Sequence, residues 1–401
     1  MEAVNGSETE RYRRVVNERY SASAKVAEPG LCCPAVYNPE YLKIIPQEVI
    51  DRDYGCGDPS PYVCSGETVL DLGSGGGKLC FIIAQLVGPT GKVIGVDMND
   101  EMLSLARGAL TKVEASLGYK NTTFGKGRIE DLTLDYERLD AYLRENPIAG
   151  AEDLDLFNEI LANLRSQSPL VASESIDVVL SNCVLNLVAP NLKHKLFPEI
   201  HRVLKRGGRA VISDVVSDED IPVHLQENSK LWGGCISGAM REDRFLDSFA
   251  KGGLYGVEIL ARDDAPYEVI EGIKLRKITA AAYKGKEGPC WDHKQAVIYK
   301  GPFLRVEDDD GHVMERGKPV AVCEKTLHIM SREPYAKSFA LVQPDVPVRP
   351  EDARPFECGP KQSLGAPAPA IRLRDSDELK NDPARKSETV RASGQCGPGC
   401  C

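Results

Sequence analysis

Residues 69–80 read VLDLGSGGGKLC. The β-prone start, at the centre of the run ETVLDLG (67–73), predicts a short strand, and the apolar spacing of KLCFIIAQLVG (78–88) predicts a helix stopped by Gly88. Between them Gly73, Gly75 and Gly77 let the backbone turn tightly and approach a ligand, while the helix start offers unpaired N–H groups. Such a strand–turn–helix opens an α/β fold around a cofactor, and an acid, Asp71, stands just before the first glycine.

Outward from this stretch the alternation continues. GKVIGVD (91–97) predicts a second strand and NDEMLSLARGALTKVEASLG (99–118) an amphipathic helix with a polar cap. NTTFGKGRIEDL (121–132) predicts a third strand, followed over 133–172 by a long insertion with two helical patterns. IDVVLSNCV (176–184) is strand four, NLKHKLFPEIHRVLKRGG (191–208) a helix ended by glycine, and RAVISDVV (209–216) strand five. YGVEIL (255–260) and KLRKITAAAYKG (274–285) supply two closing strands. The expected architecture is a doubly wound, Rossmann-like α/β sheet, mostly parallel, with helices on both faces.

Four segments are expected. Residues 1–30 form a charged leading helix and linker; 31–286 form the main domain, its first residues acting as a cap; 287–345 form a small β-rich unit around a polar turn, EDDDGH (307–312). The proline-rich remainder, 346–401, is expected to be a disordered tail ending in CGPGCC. Net charge over the 401 residues is −10, which argues against a nucleic-acid or anionic-membrane surface. No stretch approaches the roughly 18 apolar residues of a membrane span, and MEAVNGSETE lacks an apolar signal core, so a cytoplasmic location is expected.

The thirteen cysteines include no CxxC pair, and their odd number in a large chain without a secretion signal disfavours a disulfide scaffold. Three have unusual settings. Cys56 lies between glycines in DYGCGDP, where its backbone and side chain are expected to be accessible; Cys183 follows strand four in SNCVLNLV (181–188); Cys235 follows strand five in LWGGCISGA (231–239). In a doubly wound sheet these places face one crevice. No histidine or paired acid stands at the exit of strand four to serve as a base. Thiolates favour soft ions, and trivalent arsenic on three sulfurs would keep a lone pair needing no deprotonation.

The pattern D-x-G-x-G-x-G from Asp71 resembles class I S-adenosylmethionine-dependent methyltransferases, whose sheet has seven strands. That resemblance implies S-adenosylmethionine as cofactor. Asp71, Gly73 and Gly75 would face its amino-acid part, Asp97 and Met98 its ribose side, and Ile129 and Glu130 its adenine. Together with YGCG (54–57), VIGVDM (93–98), SNCVLNLV, RVLKRGG (202–208), ISDV (212–215) and LWGGCISGA, the chain from about 31 to 345 resembles the arsenite S-adenosylmethionine methyltransferases. The resemblance implies that Cys56, Cys183 and Cys235 bind trivalent arsenic, and that Cys33 or Cys32, in LCCP, joins a disulfide exchange reset by thioredoxin or glutathione. Tyr54 and Asn182, beside two of the thiols, are further candidates for the cleft, and the enzyme is expected to act as a monomer on arsenite or methylarsenite.

Two readings stay open: a methyltransferase for an organic acceptor, and a protein that only binds a metalloid or zinc. Cys64 and Cys80 read as small core residues, and Cys290 and Cys323 as buried rather than as a redox pair. EDDDGH lacks calcium-loop spacing and reads as a hairpin turn. Cys396, Cys400 and Cys401 are either an arsenic-handling cluster or incidental surface thiols.

Overall fold

The computed structural model describes residues 2–28 and 36–358. Seven strands carry the fold: β1 (Thr68–Leu72), β2 (Lys92–Asp97), β3 (Thr122–Lys126), β4 (Ile176–Asn182), β5 (Leu204–Ser217), β6 (Tyr255–Arg262) and β7 (Ile273–Tyr283). Their order is β3-β2-β1-β4-β5-β7-β6, with β3 to β5 parallel and β7 antiparallel to both of its neighbours. Two short strands, Met240–Arg241 on β5 and Glu268–Ile270 on β7, extend it. This is the expected doubly wound sheet.

Burial on both faces explains the near-continuous apolar runs. In β4, Ile176 and Val179 enter one core cluster while Val178 and Leu180 enter the other. In β5, Ala210 and Ile212 are similarly opposed to Val211. The helices α1 (Glu2–Lys25), α2 (Lys78–Val87), α3 (Asp100–Leu117), α4 (Tyr136–Glu145), α5 (Asp153–Gln167), α6 (Leu196–Val203) and α7 (Glu242–Lys251) surround it. Asn99 caps α3 by accepting the Met102 N–H, and Gly118 in the left-handed region ends it.

Four expectations change. The third strand stops at Lys126; beyond it the backbone turns back, with the Gly127 N–H on the Asp97 carbonyl at 3.0 Å. RVLKRGG does not finish a helix: α6 ends at Val203, and β5 already begins at Leu204, paired with Ile176. Gly207 (φ 84°) donates to the Lys284 carbonyl, so the glycine pair shapes an irregularity in a strand rather than a helix stop.

The C-terminal unit is β-rich as expected but adds a helix that sequence reading did not include. Its strands are β8 (Trp291–Asp292), β9 (Ala296–Tyr299), β10 (Arg305–Glu307), β11 (Val313–Glu315), β12 (Pro319–Ala321) and β13 (Phe339–Val342), but α8 (Glu324–Met330) follows β12. EDDDGH does form the β10–β11 turn, Asp308 accepting the N–H groups of Asp310 and His312. The fourth change concerns the tail. Residues 346–358, assigned to it by composition, return to the fold: β14 (Arg354–Pro355) pairs antiparallel with β8. Residues 359–401 lie outside the described residues, as do Cys396, Cys400 and Cys401.

The C-terminal unit docks where β5 and β6 begin and β7 ends, through Tyr335 stacked on Tyr255. That is the end of the sheet opposite the glycine turn.

Candidate active site

At the C-terminal ends of β1, β2 and β4 the chain encloses a cavity of about 450 Å³. Tyr54, Asp71, Gly73, Gly75, Asp97, Met98, Ile129, Glu130, Asn182 and Cys183 all line it. Gly73 takes φ 69° and a Cβ there would lie 2.4 Å from Val184, so the turn admits only glycine at this packing.

Asp97 anchors the turn. One carboxylate oxygen accepts the Gly75 N–H and the other the Asn99 N–H, both at 2.8 Å, which leaves each a further lone-pair direction for a ribose hydroxyl. Asp71 is buried, and the Cys80 thiol donates to it at 3.2 Å. Cys80 is thus a core residue, as expected, with a polar contact that its apolar setting concealed, whereas Cys64, read in the same way, is exposed. Burial foremost, and then the neighbouring Asp53 and Asp97 charges, push the Asp71 carboxyl up to about 7 against the pull of that thiol. A carboxyl in this state is suited to a cationic partner.

The fit to S-adenosylmethionine is supported by what the cavity leaves unsatisfied. Ser74 and Arg128, both residues of the cavity wall, carry buried polar atoms (Oγ and Nε) without a hydrogen-bond partner among the described residues, and a Cβ on Gly75 would enter open space. The cavity's size and its mixed polar and apolar lining match a cofactor of that class.

Sequence reading did not place the N-terminal helix at the cavity. Helix α1 contributes Arg13, Asn17 and Tyr20 to the cavity wall, whereas no residue of the 133–172 insertion lines it. Arg13 donates to Glu130 at 3.1 Å, and Asn99 to the Asn17 side chain at 2.9 Å. The Tyr54 hydroxyl donates to the Ser23 carbonyl at 3.0 Å. Also missed were Asp53 and Lys78, an ion pair under the cavity with the Lys78 ammonium over the Tyr37 ring. The signal available was Asp53 next to Tyr54 and a lysine at the first helical position after the glycines.

Cys56, Cys183 and Cys235 meet in one buried apolar cluster with Val215, Ile221, Leu225, Ile273 and Leu275. The Cys235 thiol donates to the Cys183 carbonyl at 2.8 Å. Asn182 holds the Cys56 loop: its Oδ1 accepts the N–H groups of Cys56 and Gly57 at 2.9 and 3.0 Å, and its amide donates to the Gly57 carbonyl and Tyr37. Cys56 is therefore buried rather than accessible. Its flanking glycines serve close approach instead, since a Cβ on Gly55 would strike Asn182 and one on Gly57 would strike Ser213.

Cys183 and Cys235 have φ of 64° and 61°, a left-handed backbone costly for side chains other than glycine. Such strain persists only where the surroundings impose it. Asn186 does so for Cys235, donating to its carbonyl at 3.3 Å and to Asp214 and the Val215 carbonyl at 2.8 and 2.7 Å. Of the three cysteines only Cys183 also lines the cavity, so it stands between the sulfur cluster and the cofactor space. Cys32 and Cys33 lie outside the described residues.

Known proteins resemble this chain over most of its length. A family model described as a methyltransferase domain matches residues 64–173 and 159–253, and one described as a domain of unknown function matches 286–369. The arsenite methyltransferase of Aquipseudomonas alcaligenes is 32% identical over 329 residues, covering 78% of this chain and 84% of its own. That of Homo sapiens is 29% identical over 377 residues, covering 90% and 87%. Among solved structures, the arsenic(III) S-adenosylmethionine methyltransferase of Chlamydomonas reinhardtii is similar at 27% identity, with a TM-score of 0.51 over 79% of this chain and 99% of that one.

Proposed function

Because the chain belongs to the arsenite methyltransferase family, we propose that it transfers a methyl group from S-adenosylmethionine to trivalent arsenic held by Cys56, Cys183 and Cys235. The observation that carries this reading is the position of Cys183, shared between the buried sulfur cluster and the cofactor cavity.

S-adenosylmethionine, when bound, supplies an electrophilic methyl group on a sulfonium. Asp71 would hold its ammonium, Asp97 its ribose hydroxyls, and Met98, Ile129 and Glu130 the adenine side of the cavity. Tyr54, tied to α1, and Asn182, tied to the Cys56 loop, position the wall between cofactor and thiols. Arsenous acid brings three hydroxides. As three As–S bonds form, the three thiol protons leave with those hydroxides as water, and no redox change occurs. The bound arsenic keeps its lone pair, so methyl transfer would need alignment and no base; the As–C bond would form as the sulfonium's S–CH3 bond breaks and the thioether leaves, and the two electrons that arsenic gives up would be returned by a pair of cysteine thiols closing to a disulfide. The apolar wall of Val215, Ile221, Leu225, Ile273 and Leu275 excludes water from that step.

Domain organisation follows the same reading: 31–286 carries the reaction, and the unit from 287 onward is an addition that packs at the far end of the sheet. A role of Cys33 or Cys32 in disulfide exchange, a thiol reductant such as thioredoxin or glutathione, and action as a monomer complete the proposal. Reduced thiolates are required for binding, which suits a reducing compartment such as the cytoplasm; no described helix is long and apolar enough to cross a membrane.

Cys183→Ser tests the reading. Methylated arsenic, measured by mass spectrometry with labelled cofactor, should fall at least a hundredfold while cofactor affinity stays within about threefold. Unchanged arsenic methylation would overturn it, and transfer to an organic acceptor with no arsenic product would favour the other enzyme class.

A further inference from the structure

Three more cysteines converge at the opposite end of the molecule. Cys290 precedes β8, Cys323 precedes α8, and Cys358 follows β14. Pairing of β8 with β14, extended by the Phe356 N–H on the Cys290 carbonyl at 2.8 Å, brings the first and last together. The buried Cys323 lies between them, and all three sulfurs fall within 4.8 Å of one another. Sequence reading weighed only Cys290 and Cys323, because Cys358 fell in a segment that composition assigns to the tail.

We propose that Cys290, Cys323 and Cys358 form a second thiol site, separate from the catalytic cleft, which binds one trivalent arsenical through three sulfurs. Donor count selects the ion. Structural zinc is completed by four ligands, and among the described residues no histidine or carboxylate joins the three sulfurs within that 4.8 Å. A trivalent centre with a lone pair is complete with three. Binding exchanges three As–O bonds for three As–S bonds, and three thiol protons leave with the displaced hydroxides as three waters.

One sulfur is already placed as an acceptor: Cys323 Sγ accepts the Thr326 N–H at 3.4 Å and lies 3.3 Å from the Thr326 hydroxyl. Bound arsenic would also clamp the returning 354–358 segment onto the C-terminal unit.

The site is independent of the cleft, and the test keeps the two apart. In the full chain with Cys32, Cys33, Cys56, Cys183, Cys235, Cys396, Cys400 and Cys401 all changed to Ser, arsenite should bind one per chain. Its arsenic absorption-edge spectrum should show three sulfur neighbours. Adding Cys290→Ser or Cys358→Ser should weaken binding at least tenfold. In the unaltered chain, arsenite should protect Cys290 and Cys358 from alkylation as mapped by peptide mass, a readout that needs no substitution. No arsenite bound to the eightfold variant, no protection, or a Cys290–Cys358 disulfide that persists under excess thiol reductant would overturn the proposal. So would zinc bound one per chain and not displaced by arsenite.

Discussion

At residue scale, the cleft depends on small groups that let cysteine loops approach one another. Gly57 packs so closely on Ser213 that an added Cβ would lie 2.9 Å from its side-chain atoms. Ser213 is itself fixed on β5, sharing a 2.8 Å hydrogen bond with Thr279 on β7, so it has little room to yield. Gly57→Ala should therefore destabilise the fold by about 1–3 kcal/mol, the range for overpacking a filled interior, and displace Cys56. Thermal melting and arsenite titration would check this: the melting point should drop and arsenite affinity fall, with cofactor affinity much less affected. The cysteines and glycines were legible one by one. Their reason was not: Gly55 and Gly57 looked like features that expose Cys56, whereas they allow it to be buried against Asn182 and Ser213.

At the scale of elements, α1 is the component that sequence reading undervalued. It reads as a charged leading helix because its polar residues face partners far along the chain. Arg13 reaches Glu130, Ser21 reaches Glu101, and Arg19 donates to the Lys230 carbonyl at 2.6 Å. Tyr12 packs on Trp232 with ring centroids 4.1 Å apart. One helix thus bridges the cofactor loops and the turn that presents Cys235. Arg13→Ala removes a half-exposed ion pair worth about 0.2–1 kcal/mol, so cofactor affinity should fall by at most about fivefold. Deleting residues 2–25 should do more, opening the cavity and raising the cofactor dissociation rate at least tenfold in stopped-flow measurements. An unchanged rate would show that α1 does not act as the lid. The insertion at 133–172 packs on the β3 side, through Arg165–Asp131 and Lys126–Asp140.

For the whole molecule, two buried acids tie stability to pH. Burial, above all, raises Asp71 to about 7 and Asp214 to about 6, both above the usual aspartate value. Between that usual value and the raised one, the folded protein binds protons that the unfolded chain releases. Stability of the ligand-free protein should consequently rise as pH falls from 7.5 to 5, with a slope of up to about 1.4 kcal/mol per pH unit for each group. Asp71→Asn should flatten the profile over pH 6–7 in denaturant titrations; an unaltered slope would contradict this. A bound cofactor ammonium requires the carboxylate, so cofactor affinity should move the other way and weaken as pH falls below about 7.

Sequence alone determined the sheet, its parallel core and the place of the glycine turn, because apolar alternation and helix-spaced runs are local patterns written over five to twenty residues. It also pointed to Asp71, Gly73, Gly75, Asp97 and Met98 of the cavity wall, which lie at or just past strand ends that those patterns locate. Only the tertiary structure shows how the thiols come together, and it alone brings Cys358 to Cys290 and Cys323. Cys56, Cys183 and Cys235 are joined by loop closures across 52 to 127 residues, and Cys290 and Cys358 are brought to Cys323 by a two-residue strand pair too short to leave a periodic signal. Distance along the chain carries no information about distance in space once the backbone turns, and thiol chemistry depends only on the latter.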